Sequence, residues 1–214
     1  MQVTIAKRFP IEQGFKAIRQ ATLENAGDEE VFFYKSANLR LAEFLPEELN
    51  PVSLYLLEKN LDIQRTLREH LLENYGIDTL HLREILHLKT ENGLVAMIPP
   101  YAEISEEVLK LIPQNGDREP AERTSIKVPI IPDGLHRATL AQELGETLTC
   151  IVASNLDTLR YPYASYPVSW SEVKVYQETP KVKKFYRRQD PYTYMRPLDA
   201  LRLLKPTEVE YGRK

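Results

Sequence analysis

Between Val128 and Asn155 the chain reads VPIIPDGLHRATLAQELGETLTCIVASN, and this stretch restricts the fold more than any other. The apolar, β-branched run Ile126–Ile131 predicts a strand. Arg137–Leu144 predicts a helix, with Ala138, Leu140, Ala141 and Leu144 as a small apolar face and Gly145 as its stop. Leu148–Ala153 predicts a returning strand. A helix with so small a face packs close to a sheet, which fixes its N-terminus at the sheet edge.

The turn into that helix is Asp133-Gly134-Leu135-His136-Arg137. Asp133 stands where an N-cap is wanted, its carboxylate able to accept from the amides of the next turn. Gly134 permits positive φ or a close approach of backbone to a ligand. His136 and Arg137 then fall in the first helical turn, where backbone N–H groups lack partners and the helix dipole is positive. A cation is unfavourable there unless an anion or carboxylate compensates it, and the fork of an arginine can hold two phosphate oxygens. Two readings stay open on these residues alone. One is an anion site; the other is ordinary capping, with His136 packed and Arg137 paired to Asp133 or Glu143.

The rest of the chain mixes helical and strand patterns without strict alternation, so an α+β fold with a small mixed sheet and packed helices is expected. A short amphipathic helix is predicted over Ile11–Thr22, a strand over Glu29–Lys35, and two helices over Pro46–Asn60 and Leu61–Gly76. Arg83–Pro100 predicts a β-hairpin turning at Glu91-Asn92-Gly93. Ser105–Ile112 predicts a short helix capped by Ser105, and Pro113–Ser125 an exposed loop. Beyond Asn155 the chain is rich in Tyr and Pro and leads into a short helix. The expected organisation is a core of residues 1–155 with helical insertions, and an extension, 156–214, packed on it.

Charge is uneven. Residues 1–180 hold 18 Lys/Arg against 27 Asp/Glu, whereas 181–214 hold 10 against 4, with Phe185, Tyr186, Tyr192, Tyr194 and Tyr211 interleaved. A basic aromatic tail suits single-stranded nucleic acid or nucleotide phosphates, and equally suits packing on an acidic body. Arg187 and Arg188 are candidate phosphate clamps there and Tyr192 a stacking surface. The lone Cys150 excludes an intramolecular disulfide and a cysteine cluster, and reads as a buried small hydrophobe. His81 and His87 form no zinc spacing, and His70 reads as a helix-surface or core residue. No apolar window approaches 18 residues and the first residues lack a leader-like apolar stretch, so a cytoplasmic protein without membrane contact is expected.

The segment IIPDGLHRATLAQELGETLTCIVAS, residues 130–154, resembles the signature of the ParB N-terminal/sulfiredoxin-like superfamily: an apolar strand, a D-G-x-H-R type turn, an alanine-rich helix ending in Leu-Gly, and a returning strand. The resemblance implies a nucleoside triphosphate, ATP or CTP, held with Mg²⁺ and either hydrolysed or used to transfer a phosphoryl group to a small-molecule or protein acceptor. It implies phosphate contacts at Gly134, His136 and Arg137, and catalytic roles for Asp133, near metal or acceptor, and His136. Leu135 stands where sulfiredoxins carry their cysteine, which turns the expected chemistry from sulfur to phosphate. No helix-turn-helix pattern follows Asn155, which disfavours a partition protein. Glu103, Glu106 and Glu107 are further carboxylates for metal or proton transfer. The alternative function is a nucleic-acid-associated module that uses the basic aromatic tail.

Overall fold

The computed structural model describes residues 3–21, 32–53, 55–111, 122–156 and 170–180, with backbone only at 106–111 and 122–124. The basic tail 181–214, with Arg187, Arg188 and Tyr192, lies outside the described residues, as do 22–31, 112–121 and 157–169.

Among the described residues ten strands and three α-helices follow in chain order: β1 (Thr4–Pro10), α1 (Ile11–Arg19), β2 (Asn38–Phe44), β3 (Asn50–Pro51), β4 (Tyr55–Leu57), α2 (Glu58–Tyr75), β5 (Glu84–Thr90), β6 (Gly93–Met97), β7 (Tyr101–Leu111), β8 (Glu122–Asp133), α3 (Leu135–Leu144), β9 (Leu148–Ser154) and β10 (Lys174–Tyr176). The fold is α+β, as expected. The principal sheet has the order β2-β9-β7-β8-β3; a second has the order β1-β5-β6, and β4 pairs with β10. Within the principal sheet β9 runs antiparallel to β2 and parallel to β7, and β7 runs antiparallel to β8.

β9 lies inside the sheet between β2 and β7, and its apolar run is buried from Leu148 to Ala153 because both of its faces are covered. Successive side chains point to opposite faces. Cys150 and Val152 join Leu61 of α2 and Leu135, Ala138, Leu140 and Ala141 of α3 in one core. Ile151 and Ala153 join Ile11 and Ile18 of α1, Phe33, Tyr34 and Ile85 in another. The principal sheet is therefore sandwiched between α2 with α3 and α1 with the second sheet. A third core of Val3, Leu71, Leu82, Leu86, Leu88 and Met97 ties the end of α2 to the far face of that second sheet. Fully burying a Leu or Ile contributes about 1.5–3 kcal/mol, so these layers hold the framework. Among the described residues no helix is long and apolar enough to cross a membrane.

Three predicted elements differ. Residues 33–36 form a turn rather than part of a strand: Lys35 and Ala37 donate to the carbonyls of Phe32 and Tyr34, and Phe33 and Tyr34 both enter the core. Pro46–Asn60 is not one helix. A single 3-10 turn at Pro46–Glu48 is followed by β3 and β4 before α2 begins at Glu58, since Pro51 holds Asn50 extended and offers no N–H to a helix. Ser105–Leu111 is strand, paired from Ser105↔Val128 to Leu111↔Glu122; this segment suits both periods, and pairing with β8 decides between them. By the same pairing β8 takes up 122–125, assigned above to the loop.

The chain after residue 169 returns to the body. Trp170 donates from Nε1 to the Leu49 carbonyl at 2.8 Å, and β10 runs parallel to β4.

Candidate functional site

Asp133 is the last residue of β8, opposite Tyr101 on β7. The expected Asp133 cap is not formed: Gly134 occupies the N-cap position at φ 96°, ψ 14°, and no side chain bonds the amides of the first turn. Strand pairing keeps Asp133 in the ladder and moves the cap one residue on. The first helical hydrogen bond is Ala138 N–H to the Gly134 carbonyl at 2.9 Å, so the amides of Leu135, His136 and Arg137 face the end of the helix, with no side-chain acceptor for them among the described residues.

Gly134 meets both reasons for a glycine. Its φ is left-handed, and a Cβ there would sit 2.5 Å from Cβ of Pro100. Pro100 is itself fixed, its carbonyl accepting from Ile151 N–H at 2.7 Å. Arg137 secures the same crossing from the other side. It is 8% exposed and donates from Nη1 to the Ile98 carbonyl at 2.6 Å. Burial lowers its pKa and the nearby Asp133 carboxylate opposes that shift. The guanidinium thus ties β8–α3 to the Ile98–Pro100 segment, and the alternative partner Glu143 instead faces Arg65 of α2, at 2.8 Å.

His136 is half-buried, and its Nε2 is enclosed without a hydrogen-bond partner. Burial pushes its pKa down and Asp133 raises it. One turn further on the same face, the Oγ1 of Thr139 is likewise enclosed without a partner. Asp133, Gly134, His136 and Arg137 are therefore brought together. An enclosed imidazole nitrogen and three helix-start amides are the donors this turn offers, and Asp133 is its one half-exposed carboxylate.

Other singled-out residues lie elsewhere. Glu103 is buried on β7 and accepts from the Tyr34 hydroxyl at 3.0 Å, on the α1 side of the sheet. Glu106 and Glu107 lie along β7 opposite Lys127 and Ile126. His70 bonds the Val3 carbonyl at 2.7 Å, and His87 packs edge-on against Phe9. His81 meets Asp78 and Glu146 within 4.8 Å, yet Arg68 Nη2 already lies 2.7 Å from both carboxylates, occupying the place a metal would take. Cys150 is buried, and burial pushes its thiol up to about 12.

Sequence reasoning missed the Ile98 carbonyl, Pro100, Thr139, and the arginines that fix α3. Arg65 and Arg68 grip Glu143 and Glu146 across 78 residues. The Pro99-Pro100 pair was the one available signal, because adjacent prolines make a rigid crossing.

These features define an α+β protein whose strand-to-helix turn gathers Asp133, Gly134, His136 and Arg137. The sequence matches the ParB CE domain over residues 14–175, a span that includes every residue of this turn, and the chain belongs to that family. No curated protein and no solved structure matches it.

Proposed function

We infer that the β8–α3 turn binds the phosphates of a nucleoside triphosphate, ATP or CTP, together with Mg²⁺, and that the protein hydrolyses the nucleotide or transfers its terminal phosphoryl group to a small acceptor. The observation that carries this reading is the enclosed, unpartnered Nε2 of His136 beside the uncapped amides of α3. Membership of a ParB family supports it.

Each residue has a part. The amides of Leu135, His136 and Arg137 receive phosphate oxygens, and Gly134 keeps side-chain bulk away from them. His136 donates from Nε2 once protonated, and stabilises charge on the leaving or transferred group. Asp133 holds the metal or takes the proton of the attacking hydroxyl. Bound Mg²⁺ would supply neutralisation of phosphate charge. Arg137 supports the site by fixing the floor at Ile98–Pro100 and by adding positive charge in a medium of low dielectric.

Calorimetric titration with ATP, CTP and GTP, with and without Mg²⁺, tests the proposal on the parent chain, His136→Gln and Asp133→Asn. Binding weakened tenfold or more by His136→Gln, and phosphate release lost in Asp133→Asn with binding retained, are expected. No binding of any triphosphate by the parent refutes it. Arg137→Ala is unsuitable as a binding probe, because removal of a buried guanidinium damages the framework as well.

A further inference from the structure

Most of the segment that returns to the body after residue 169 stays in solvent. Trp170–Glu172 make one 3-10 turn, with the Val173 N–H donating to the Trp170 carbonyl at 3.0 Å. Trp170 donates from Nε1 to the Leu49 carbonyl at 2.8 Å. Trp170 and Val173, both partly buried, pack on the core that contains Leu49, Leu56, Leu61 and Leu135, and form the apolar anchor of the segment. β10 follows with all of its residues exposed, Val175 at 45% and Tyr176 at 38%. It adds three parallel rungs, from Lys174↔Tyr55 to Tyr176↔Leu57, in a sheet of two strands. Parallel pairing is the weaker kind per residue, and a two-stranded sheet is marginal in water without packing.

Among the described residues β10 is the only strand paired with β4, and β4 runs into α2 without a linking residue. Leu57, the last residue of β4, is also the N-cap of α2 and makes no side-chain cap. A helix start without a cap depends on the backbone that enters it. Here that backbone is held by the Tyr176↔Leu57 pairing.

The start of α2 lies at the same end of the helical layer as the β8–α3 turn. Arg65 meets Glu143 and Arg68 meets Glu146, so advancing from Arg65 to Arg68 along α2 matches advancing from Glu143 to Glu146, and α2 and α3 run parallel. Carried back to the helix starts, the same register sets Glu58, the first residue of α2, level with His136.

We propose that residues 170–176 form a releasable strap. It leaves β4 and the core while the rest of the chain stays folded, and its docked state, by fixing the start of α2, raises the affinity of this end of the helical layer for its ligand. Release needs no ligand; the effect on affinity rests on the phosphate reading of the β8–α3 turn.

Trp170 is the single tryptophan of the chain, so its emission and its quenching by acrylamide report docking of the strap, while far-UV circular dichroism reports the body. Both are followed through a urea titration of the full chain, in the parent and in Lys174→Pro/Val175→Pro. Amides of adjacent strand residues point to opposite sides, so the double variant removes a ladder donor whichever of the two faces β4. Exposure of Trp170 is expected at lower urea than the loss of dichroism, and at still lower urea in the double variant, with the dichroism midpoint unmoved. A single coincident transition in the parent, or a dichroism midpoint that falls with the emission in the variant, overturns the proposal, because the segment then belongs to one cooperative body. ATP with Mg²⁺, titrated calorimetrically into both proteins, reads the coupling. Binding is expected to be weaker by about fivefold or more in the double variant, and saturating nucleotide to shift Trp170 exposure in the parent to higher urea. Equal affinity in the two proteins overturns the coupling and leaves the phosphate reading intact. No binding by the parent refutes that reading and the coupling together, and release is then decided by the urea comparison alone.

Discussion

Gly134→Ala isolates the contact on which the β8–α3 turn rests. An L-residue in the left-handed region costs about 1–2 kcal/mol. The new Cβ would also stand 2.5 Å from Pro100 Cβ, 2.9 Å from its Cγ and 3.0 Å from its Cα, against an ordinary carbon separation of about 3.5–4.0 Å. The ring cannot swing away as a flexible side chain would, and its carbonyl is tied to Ile151, so overpacking adds about 1–3 kcal/mol. The sum is about 2–5 kcal/mol. A domain of this size loses about 2–4 °C of Tm per kcal/mol, so a fall of roughly 4–20 °C is expected in a thermal melt followed by circular dichroism. Gly145→Ala is the matched control: φ is 65° and nothing lies within 4 Å of its added Cβ, so only the left-handed backbone cost of about 1–2 kcal/mol applies. Pro100→Gly removes two of the three clashing atoms and should restore about 1–3 kcal/mol to Gly134→Ala, a coupling measurable in a double-mutant cycle. Equal losses for Gly134→Ala and Gly145→Ala, or no coupling to Pro100, would refute the close-approach argument.

Arg137→Met should cost about 1–3 kcal/mol in urea denaturation, because the buried Ile98 carbonyl loses its donor; a cost below about 0.5 kcal/mol would mean that the 2.6 Å bond is not stabilising. Acid should weaken the tie between α2 and the segment that follows it, made by Arg68 and Asp78. Burial alone would raise the Asp78 pKa, but the Arg68 hydrogen bonds and the Leu80 amide outweigh it and leave the group depressed. Its stabilisation is therefore complete above the unfolded carboxylate pKa near 4 and is lost as pH falls through the lower folded value. Melts from pH 6 to 2 should show that loss in the parent and less of it in Arg68→Ala. For His136 the folded pKa lies below the unfolded value, so the neutral ring is favoured above about pH 6.5 and protonation destabilises the fold as pH drops. A bound phosphate reverses that preference, and triphosphate titrations near pH 6.5 in buffers of different ionisation enthalpy should reveal proton uptake that is absent in His136→Gln. The Cys150 thiol, buried and pushed up to about 12, should react with a disulfide reagent at neutral pH only as fast as the chain opens.

How far these features can be read from sequence follows from how far apart the interacting residues lie. The strand-turn-helix-strand of Val128–Asn155 is legible because its signals are local: the apolar runs, Gly134 and Gly145 all act within a few residues. The α2 stop at Gly76 is equally local, with φ 66° and bonds back to Leu71 and Leu72. β7 is not legible, since Ser105–Leu111 carries no strong preference and becomes strand through pairing with residues 11 to 23 positions on. Asp133 shows the same limit at a single residue. Its side chain suits a cap, and only the partner strand at Tyr101 shows why it does not act as one.

Arg137 is the residue whose meaning changes most. In the sequence it is a cation at the positive end of a helix, which suggests an exposed fork waiting for phosphate. In the fold that fork is buried, and Ile98, 39 residues earlier, takes its donor. Arg137 is buried, and the Asp133 carboxylate is the first of the charges that offset the cost of burying it; on the proposed function, a buried and weakly screened cation adds positive potential beside the helix start. Binding of an anion would offset that potential without direct contact to Arg137, and neutralising Asp133 should therefore tighten phosphate binding in the absence of metal. On the proposed function the anion's own contacts would fall to the backbone and to His136, so discrimination would depend on backbone geometry fixed by Gly134 and Pro100 and on the charge state of one imidazole.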